Sequence, residues 1–233
     1  MKFKIAESIE DKGILKTIFM AGSPGSGKSY TLSQISAGTI SPRIVNTDKF
    51  TEYFGGMEPK ISHRDIVDKS VMLTKNQLVL YLNSMLPLFV DSTSTHSTTI
   101  IKRNGLLESI GYDTGMVFVN TSLETAIKRI QNRDRKVPTD FVKLSYEKVM
   151  NSKEYYKSRF PFFYEIGNED GELTDDVILE AYRKVKNFYD SPIENPEGKR
   201  AVKIMKESGW KYLLDGIITE NYLRKLISIW YMH

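Results

Sequence analysis

The chain has 233 residues, 40% of them hydrophobic, and this length and composition predict a globular protein with a buried core. It contains no cysteine, which excludes disulfide bonds, thiolate metal sites and cysteine nucleophiles and fits a reducing cytoplasm. Its three histidines argue against a histidine zinc site and a Ser-His-Asp triad. We find no apolar run of about 18 residues and no signal-peptide core, so we expect a soluble, cytoplasmic protein with no membrane partner.

The first predicted element is a strand over residues 17–21, which leads into the sequence Gly22-Ser23-Pro24-Gly25-Ser26-Gly27-Lys28-Ser29. A helix is predicted to follow over residues 28–36. The run fits the phosphate-binding pattern GxxxxGK(S/T), the P-loop, in the strand-loop-helix setting that this pattern requires. Its glycines let backbone N–H groups point at a phosphate, and the helix N-terminus adds a positive dipole end. The alternative is a Gly- and Ser-rich turn that matches by chance.

A nucleotide site on this loop assigns a role to each of its residues. We expect Gly22 to Tyr30 to surround the phosphates of the nucleotide. The Lys28 ammonium would reach the β- and γ-phosphates, and the Ser29 hydroxyl would be a ligand of Mg²⁺.

A second strand over residues 43–47 delivers Asp48 at its C-terminal end, and residues 49–62, which include two adjacent glycines and a proline, are predicted to form a loop. A third strand over residues 86–91 ends in Asp91 and is followed by a polar turn. Helices and strands then alternate, with helices over residues 63–85, 97–109, 122–132, 139–156 and 172–189 and strands over residues 116–119 and 162–166.

This alternation predicts an α/β fold with a mostly parallel, five-stranded sheet and helices on both faces. In such sheets, ligands bind at the C-terminal ends of the strands. The P-loop, Asp48, Asp91 and Thr121 each follow a predicted strand at that edge. We therefore expect these four groups to converge on one crevice.

Residues 191–198 contain two prolines, a glycine and polar side chains, which predicts a boundary between a main domain over residues 1–190 and a helical extension over residues 191–233. Residues 198–233 contain seven Lys and Arg residues against three Asp and Glu residues, so they account for the net charge of +4 and the first 197 residues are neutral. It is a candidate surface for nucleic acid or another polyanion. Its apolar residues either dock it onto its own domain or form a partner surface. They are Trp210, Tyr212, Leu213, Leu214, Ile217, Ile218, Leu226, Ile227, Trp230 and Tyr231.

Three stretches together resemble the small P-loop kinases that include the bacteriophage 5′-polynucleotide kinases and the zeta-toxin kinases, over about residues 15–190. They are the P-loop with its flanking strand and helix, Val45-Asn46-Thr47-Asp48-Lys49-Phe50, and Phe89-Val90-Asp91-Ser92-Thr93. The resemblance implies a P-loop NTPase fold and transfer of the γ-phosphate of ATP to a hydroxyl acceptor, with ATP and Mg²⁺ as cofactors. It implies that Asp48 is the general base, and Asp91 suits the Walker-B role on Mg²⁺. Either acid could instead serve the structure at a strand end.

Basic residues cluster between Ser122 and Pro138: Lys128, Arg129, Arg133, Arg135 and Lys136. The cluster resembles the lid of small kinases, in which guanidinium groups stabilise charge on the transferring phosphoryl group. We assign Arg133 and Arg135 as catalytic and Arg129 as a nucleotide contact. A solvated basic helix face is the alternative.

The acceptor is left open by these motifs. A 5′-OH polynucleotide end is the first expectation, although Lys49, Phe50 and Thr51 stand where polynucleotide kinases commonly place an arginine. A small molecule such as a nucleotide sugar or a nucleoside is the second, implied by the resemblance to zeta-toxin kinases. A third reading is a nucleotide-gated binding or assembly module that acts through its C-terminal extension. An NKxD signature is absent, which argues against a signalling GTPase.

Overall fold

The computed structural model describes residues 12–36, 42–57, 62–91, 94–132, 137–170, 172–208 and 220–230. Its strands are β1 (Lys16–Ala21), β2 (Arg43–Val45), β3 (Leu88–Asp91), β4 (Asp113–Asn120) and β5 (Phe162–Gly167). They form one sheet in the spatial order β2-β3-β1-β4-β5, and every neighbouring pair is parallel. The predicted α/β fold with a mostly parallel, five-stranded sheet is therefore confirmed.

Helices connect the strands and continue beyond the last one. Those in the described residues are α1 (Lys28–Ile35), α2 (Thr47–Met57), α3 (His63–Asn83), α4 (Ser97–Ser109), α5 (Leu123–Gln131), α6 (Thr139–Arg159), α7 (Asp175–Asp190), α8 (Pro196–Ser208) and α9 (Glu220–Trp230). No helix in these ranges is long and apolar enough to cross a membrane.

The sheet has a hydrophobic cluster on each face, because successive side chains of a strand point to opposite sides. In β1, Ile18 and Met20 pack with residues of α1 and α7, whereas Phe19 and Ala21 pack with residues of α3, α4, α6, α8 and α9. All six residues of β1 are buried, as expected for the central strand of a parallel sheet covered on both faces. The parallel register brings the C-terminal ends of the strands to one edge.

The structure corrects one predicted element. Residues 49–62 were expected to form a loop after a strand ending at residue 47, but β2 ends at Val45 and a helix, α2, follows at Thr47–Met57. The Asn46 side chain accepts a hydrogen bond from the Asp48 N–H at 2.7 Å and so supplies the acceptor that a helix N-terminus needs. Asp48 consequently lies in the first turn of α2, not at the strand end.

The two adjacent glycines did not break this helix. Gly55 and Gly56 lie near its C-terminal end, and an added Cβ would meet nothing within 4 Å at either position. Glycine in a helix costs about 1 kcal/mol relative to alanine, which the cap and the packing of α2 on α3 outweigh. Residues 58–61, which include the proline, lie outside the described ranges.

The C-terminal helices share the core of the sheet. Ala201 and Met205 of α8 and Leu223, Ile227 and Trp230 of α9 belong to the same buried cluster as Phe19. The ring of Trp230 stacks on that of Phe19 with centroids 6.4 Å apart. Of the apolar residues predicted to dock the extension, Ile227 and Trp230 are thus buried, and those between residues 209 and 219, with Tyr231, lie outside the described ranges. The domain division at residues 190 and 191 stays a prediction.

Candidate functional site

The P-loop adopts a conformation that only glycine allows at several positions. Gly25 and Gly27 have φ values of 83° and 86°, in the left-handed region. A Cβ at Gly25 would meet the backbone of Ala126 in α5, and a Cβ at Gly27 would meet the side-chain amide of Asn168. The loop is therefore pressed against the segments that follow β4 and β5, and no larger residue fits at these two points.

Lys28 begins α1 and folds back along the loop. Its Nζ donates hydrogen bonds to the carbonyl oxygens of Gly22 at 2.7 Å and Ser23 at 3.1 Å. Gly27 is the N-cap of α1 and, as a glycine, has no side chain that could cap the helix. The N-terminus of the helix and the lysine ammonium thus present positive charge at the same loop, an arrangement suited to a phosphate.

Asp91 lies at the end of β3, on the neighbouring side of the crevice. Burial raises the pKa of its carboxyl group, and the Asp48 charge raises it further, whereas the charges of Lys28 and Lys49 lower it. The side chain of Asn46 donates a hydrogen bond to Asp91 Oδ2 at 2.8 Å. The structure thus brings Lys28 and Asp48 close enough to Asp91 for their charges to act on its carboxyl group.

The chain after Asp91 is fixed at Ser94. Its hydroxyl donates to the Met20 carbonyl oxygen at 3.3 Å, and its own carbonyl accepts a hydrogen bond from the Tyr156 hydroxyl at 2.9 Å. Burial raises the pKa of Tyr156 to about 12, so the phenol stays protonated and donates at neutral pH. These contacts fix Ser94 to the centre of the sheet.

Three consecutive residues after β5 form a wall of the P-loop. Asn168 Nδ2 donates to the Ser26 carbonyl oxygen at 2.6 Å. Glu169 accepts hydrogen bonds from Thr121, Ser122 and Thr125 at the start of α5, and these bonds, led by that of Thr125, lower its pKa. Asp170 pairs with Lys128 and Arg129 near the end of α5, and these partners lower its pKa.

Arg129 joins this wall to the phosphate loop. Its Nη2 lies 3.0 Å from Asp170 Oδ1, while its Nη1 is buried, donates to no acceptor among the described residues, and lies near Gly27. A cleft of about 380 Å³ opens here beside the P-loop. Its lining includes Gly25, Gly27, Tyr30, Arg129, Asn168 and Asp170.

The predicted site residues have different outcomes. Gly22 to Tyr30, Asp48, Asp91 and Arg129 gather at the carboxyl edge of the sheet, with Ser29 and Tyr30 exposed on the first turn of α1. Thr121 also lies there, but its hydroxyl donates to Glu169 at 3.0 Å and supports α5. The predicted catalytic residues Arg133 and Arg135, and Lys136 of the same basic cluster, lie outside the described ranges.

The sequence analysis missed Asn46, Asn168, Glu169 and Asp170. Asn46 stood inside the predicted strand over residues 43–47, whereas the other three were visible as polar residues after a predicted strand, at the edge where ligands bind in such sheets. Asn168, Glu169 and Asp170 in particular follow the fifth predicted strand as Asn-Glu-Asp. Their partners could not be read from that signal, because those partners lie in distant parts of the chain.

Comparison with known proteins identifies the family and the fold of the chain. The sequence profile of the zeta toxin family matches residues 4–172. None of the curated proteins matches. A protein of Chloroflexus aurantiacus J-10-fl described as a candidate kinase superposes with a TM-score of 0.55 at 16% identity, covering 75% of this chain and 98% of that one.

A second similar structure comes from the PezAT chromosomal toxin-antitoxin system of Streptococcus pneumoniae. It superposes with a TM-score of 0.50 at 15% identity and covers 91% of this chain and 92% of that one. At these identities the two structures show a shared fold, whereas the profile match extends over most of the sequence. The chain therefore belongs to the zeta toxin family, and it has the fold of the small P-loop kinases.

Proposed function

We propose that this protein transfers the γ-phosphate of ATP to a hydroxyl group. The observation that carries the proposal is the grouping of a P-loop lysine, Lys28, with Asp48 and Asp91 at the carboxyl edge of the sheet. Phosphoryl transfer needs little covalent chemistry from a protein, and it depends on positioning and on compensation of charge. Positive groups on the loop and acids across the crevice supply both.

The three side chains have distinct roles in this proposal. Lys28 binds the phosphates together with the N–H groups of the loop. Asp48 accepts the proton of the acceptor hydroxyl as its oxygen bonds to the γ-phosphorus, and the bond from that phosphorus to the ADP oxygen breaks. Asp48 suits this role because its side chain is exposed on the first turn of α2 and lies close enough to Asp91 for its charge to raise the pKa of that carboxyl group.

The residues present also fit Mg²⁺. Ser29 offers an exposed hydroxyl and Asp91 a half-buried carboxylate, both of them the oxygen donors that Mg²⁺ prefers. In the described ranges, no group of three or more His, Asp or Glu side chains could hold a metal alone, which suits an ion that is also held by substrate phosphates. Bound there, Mg²⁺ would neutralise negative charge on the phosphates.

The cleft beside the P-loop suits the nucleoside part of ATP. It adjoins Gly25 and Gly27, so a nucleotide with its phosphates in the loop has room for ribose and base next to Arg129. Because Asp170 already fixes one nitrogen of the guanidinium, the unpartnered Nη1 needs little rearrangement to meet the nucleotide. Arg133 and Arg135 remain our proposed catalytic arginines.

The charge on the C-terminal helices is a reason to test small molecules, as well as polynucleotide ends, as the phosphate acceptor. Several basic side chains of α8 pair with acids: Lys199 with Glu194 at 2.8 Å, Arg200 with Glu197 at 4.0 Å and Lys203 with Glu207 at 3.9 Å. Such pairing lowers the attraction of the extension for a polyanion. A nucleotide sugar or a nucleoside therefore stands beside the 5′-OH polynucleotide end as a proposed acceptor.

The test is transfer of labelled γ-phosphate from ATP, with Mg²⁺, to a panel of a 5′-OH oligonucleotide, nucleotide sugars and nucleosides. We expect Asp48→Asn to lower kcat by roughly 10²- to 10⁴-fold while ATP binding persists, because the base is lost and the loop is kept. Lys28→Ala should weaken ATP binding itself. Glu154→Gln removes an exposed carboxylate from α6 and is the matched control, with expected activity equal to that of the wild type.

Two results would contradict the proposal. One is transfer that survives Asp48→Asn unchanged. The other is saturable, Lys28-dependent ATP binding with no transfer to any acceptor in the panel, which would favour a nucleotide-gated binding or assembly module.

A further inference from the structure

One side chain connects the two acids of the crevice. Asn46 lies between β2 and α2, and its Nδ2 donates to Asp91 Oδ2 at 2.8 Å. Its Oδ1 accepts the backbone N–H of Asp48 at 2.7 Å. The amide nitrogen of Asn46 thus binds the side chain of Asp91, and its amide oxygen binds the backbone of Asp48.

The sheet register places this amide where it can act on both. β2 and β3 are parallel neighbours with Val45 opposite Val90, so the next residues of the two strands, Asn46 and Asp91, stand side by side. On the other side, Asn46 immediately precedes α2, whose first turn contains Asp48. The side chain of Asn46 thus links the position of Asp48 to that of Asp91.

Asparagine is the short side chain that can make both bonds at once. Its planar amide carries two N–H donors and one oxygen acceptor. Aspartate could still accept the Asp48 N–H, but it has no donor for Asp91 and would place a second negative charge beside it. Alanine would lose both bonds. The pair of substitutions therefore separates capping of α2 from orientation of Asp91.

We propose that Asn46 is a positioning residue for phosphoryl transfer: its amide orients the Asp91 carboxylate and fixes the start of α2, and so sets Asp48 against Asp91. This inference rests on the proposed function. Asn46 touches neither nucleotide nor acceptor in this scheme and acts only through the two acids. Its effect on rate comes from geometry, since misplacement of catalytic groups by about 1 Å can cost roughly 100-fold in rate.

The test compares Asn46→Ala and Asn46→Asp with Asn76→Asp, which adds the same charge at an exposed position of α3. Three quantities are measured: hydrogen exchange of the Asp48 amide by NMR in the nucleotide-free protein, ATP affinity, and kcat with the acceptor found in the panel. Removal of residues that orient metal ligands typically lowers activity by about 10- to 100-fold. We expect both Asn46 variants to lower kcat by that factor with ATP affinity within about twofold of wild type, because Lys28 and the loop are unchanged.

The exchange measurement separates the two bonds. In Asn46→Ala the Asp48 amide should exchange roughly tenfold faster, whereas in Asn46→Asp its protection should persist because the acceptor remains. The control should match the wild type in all three quantities.

Each remaining outcome is decisive. Wild-type kcat in Asn46→Asp would reduce Asn46 to a helix cap and overturn the proposal, as would wild-type kcat in Asn46→Ala. If the wild type transferred no phosphate, the proposed function would fail by itself. In that case, an unchanged hydrogen-exchange rate of the Asp48 amide in Asn46→Ala would show that Asn46 does not fix the start of α2. This result would overturn the inference independently of the proposed function.

Discussion

Lys16 is a charged residue buried at the N-terminal edge of the sheet, far from the nucleotide site. Its side chain is 2% exposed, and its Nζ contacts Asp113 Oδ2 at 2.7 Å, the Ser191 hydroxyl at 3.0 Å and the Pro192 carbonyl oxygen at 2.8 Å. Asp113 in turn accepts the backbone N–H groups of Glu194 and Asn195. The pair therefore ties β1 and β4 to the segment between α7 and α8.

Substitution of Asp113 should lower the free energy of unfolding more than substitution of Lys16. We expect Asp113→Ala to lower the free energy of unfolding by about 3–5 kcal/mol, because it leaves the Lys16 charge buried without its counter-ion and removes the acceptor of two N–H groups. Lys16→Met should cost less, roughly 1–2 kcal/mol, because Asp113 keeps those two donors. Urea denaturation at neutral pH measures both. An equal or larger loss for Lys16→Met would contradict this account.

At the same scale, the sequence predicted those site residues that belong to a motif. Lys28 and Ser29 follow from the P-loop pattern, and Asp91 follows from its place after an apolar strand. Asn46 and Asn168 escaped prediction because an asparagine after a strand has many local uses. Only the parallel register and the left-handed backbone at Gly27 bring their amides to Asp91 and to Ser26.

Among the helices, α5 depends on an acid from another element. Glu169, after β5, accepts the Ser122 N–H and three hydroxyl groups at the N-terminus of α5, where a negative charge also complements the helix dipole. Its pKa is lowered from the ordinary value of 4.5, first by the hydrogen bond from Thr125. The folded state therefore favours the ionised form.

The lowered pKa gives a pH dependence of known sign. The contribution of Glu169 to stability is fully present above pH 4.5 and is lost as the pH falls through the lower pKa of the folded state. We expect Glu169→Gln to cost about 1 kcal/mol at pH 7, as for loss of an N-terminal helix cap, and to flatten the fall in stability below pH 4.5. Thermal unfolding across pH 3 to 7 measures this, with Glu154→Gln as the exposed control. An unaltered slope would show that Glu169 is not responsible.

Element boundaries were predicted best where hydrophobic periodicity was strong and worst where local signals competed. The apolar strand before the P-loop was found within one residue. For α2, a glycine pair and a proline favoured a loop, but the Asn46 cap and the contact with α3 stabilised a helix. Local composition is a weak guide when a cap and tertiary packing act together.

For the whole molecule, the C-terminal helices should be part of the folding unit. Residues 191–233 provide Trp230 and Ile227 to the main core and two oxygen partners to buried Lys16. Asn195 binds the segment further, since its Nδ2 donates to the Glu108 carbonyl at 2.8 Å and its Oδ1 accepts N–H groups at the start of α8. We predict that a chain ending at residue 190 loses cooperative unfolding and binds a hydrophobic dye.

A pair of point variants checks the same prediction without truncation. Ile227 is 2% exposed and Ile229 is 39% exposed on the same helix. Ile227→Ala should lower stability by about 2–5 kcal/mol and Ile229→Ala by less than about 0.5 kcal/mol. If residues 1–190 alone melted cooperatively with unchanged Tm, the sequence-based division into a domain and an extension would be supported.

The topology of the sheet carries a consequence for the timing of folding. β1 is the central strand, yet its neighbours β3 and β4 come much later in the chain. The packing of Phe19 is complete only when Trp230 stacks on it. The rings of Phe19 and Trp230 are more than 200 residues apart in the sequence. At a synthesis rate of roughly 5–20 residues per second, Trp230 is therefore made on the order of ten seconds or more after Phe19. During translation the apolar segment Lys16–Ala21 therefore remains unpaired until β3 and β4 have been made, and Trp230 reaches Phe19 only later. Nascent chains of this protein are consequently expected to depend on protection of β1 until β3 and β4 have emerged, and on protection of the Phe19 face until α9 has emerged.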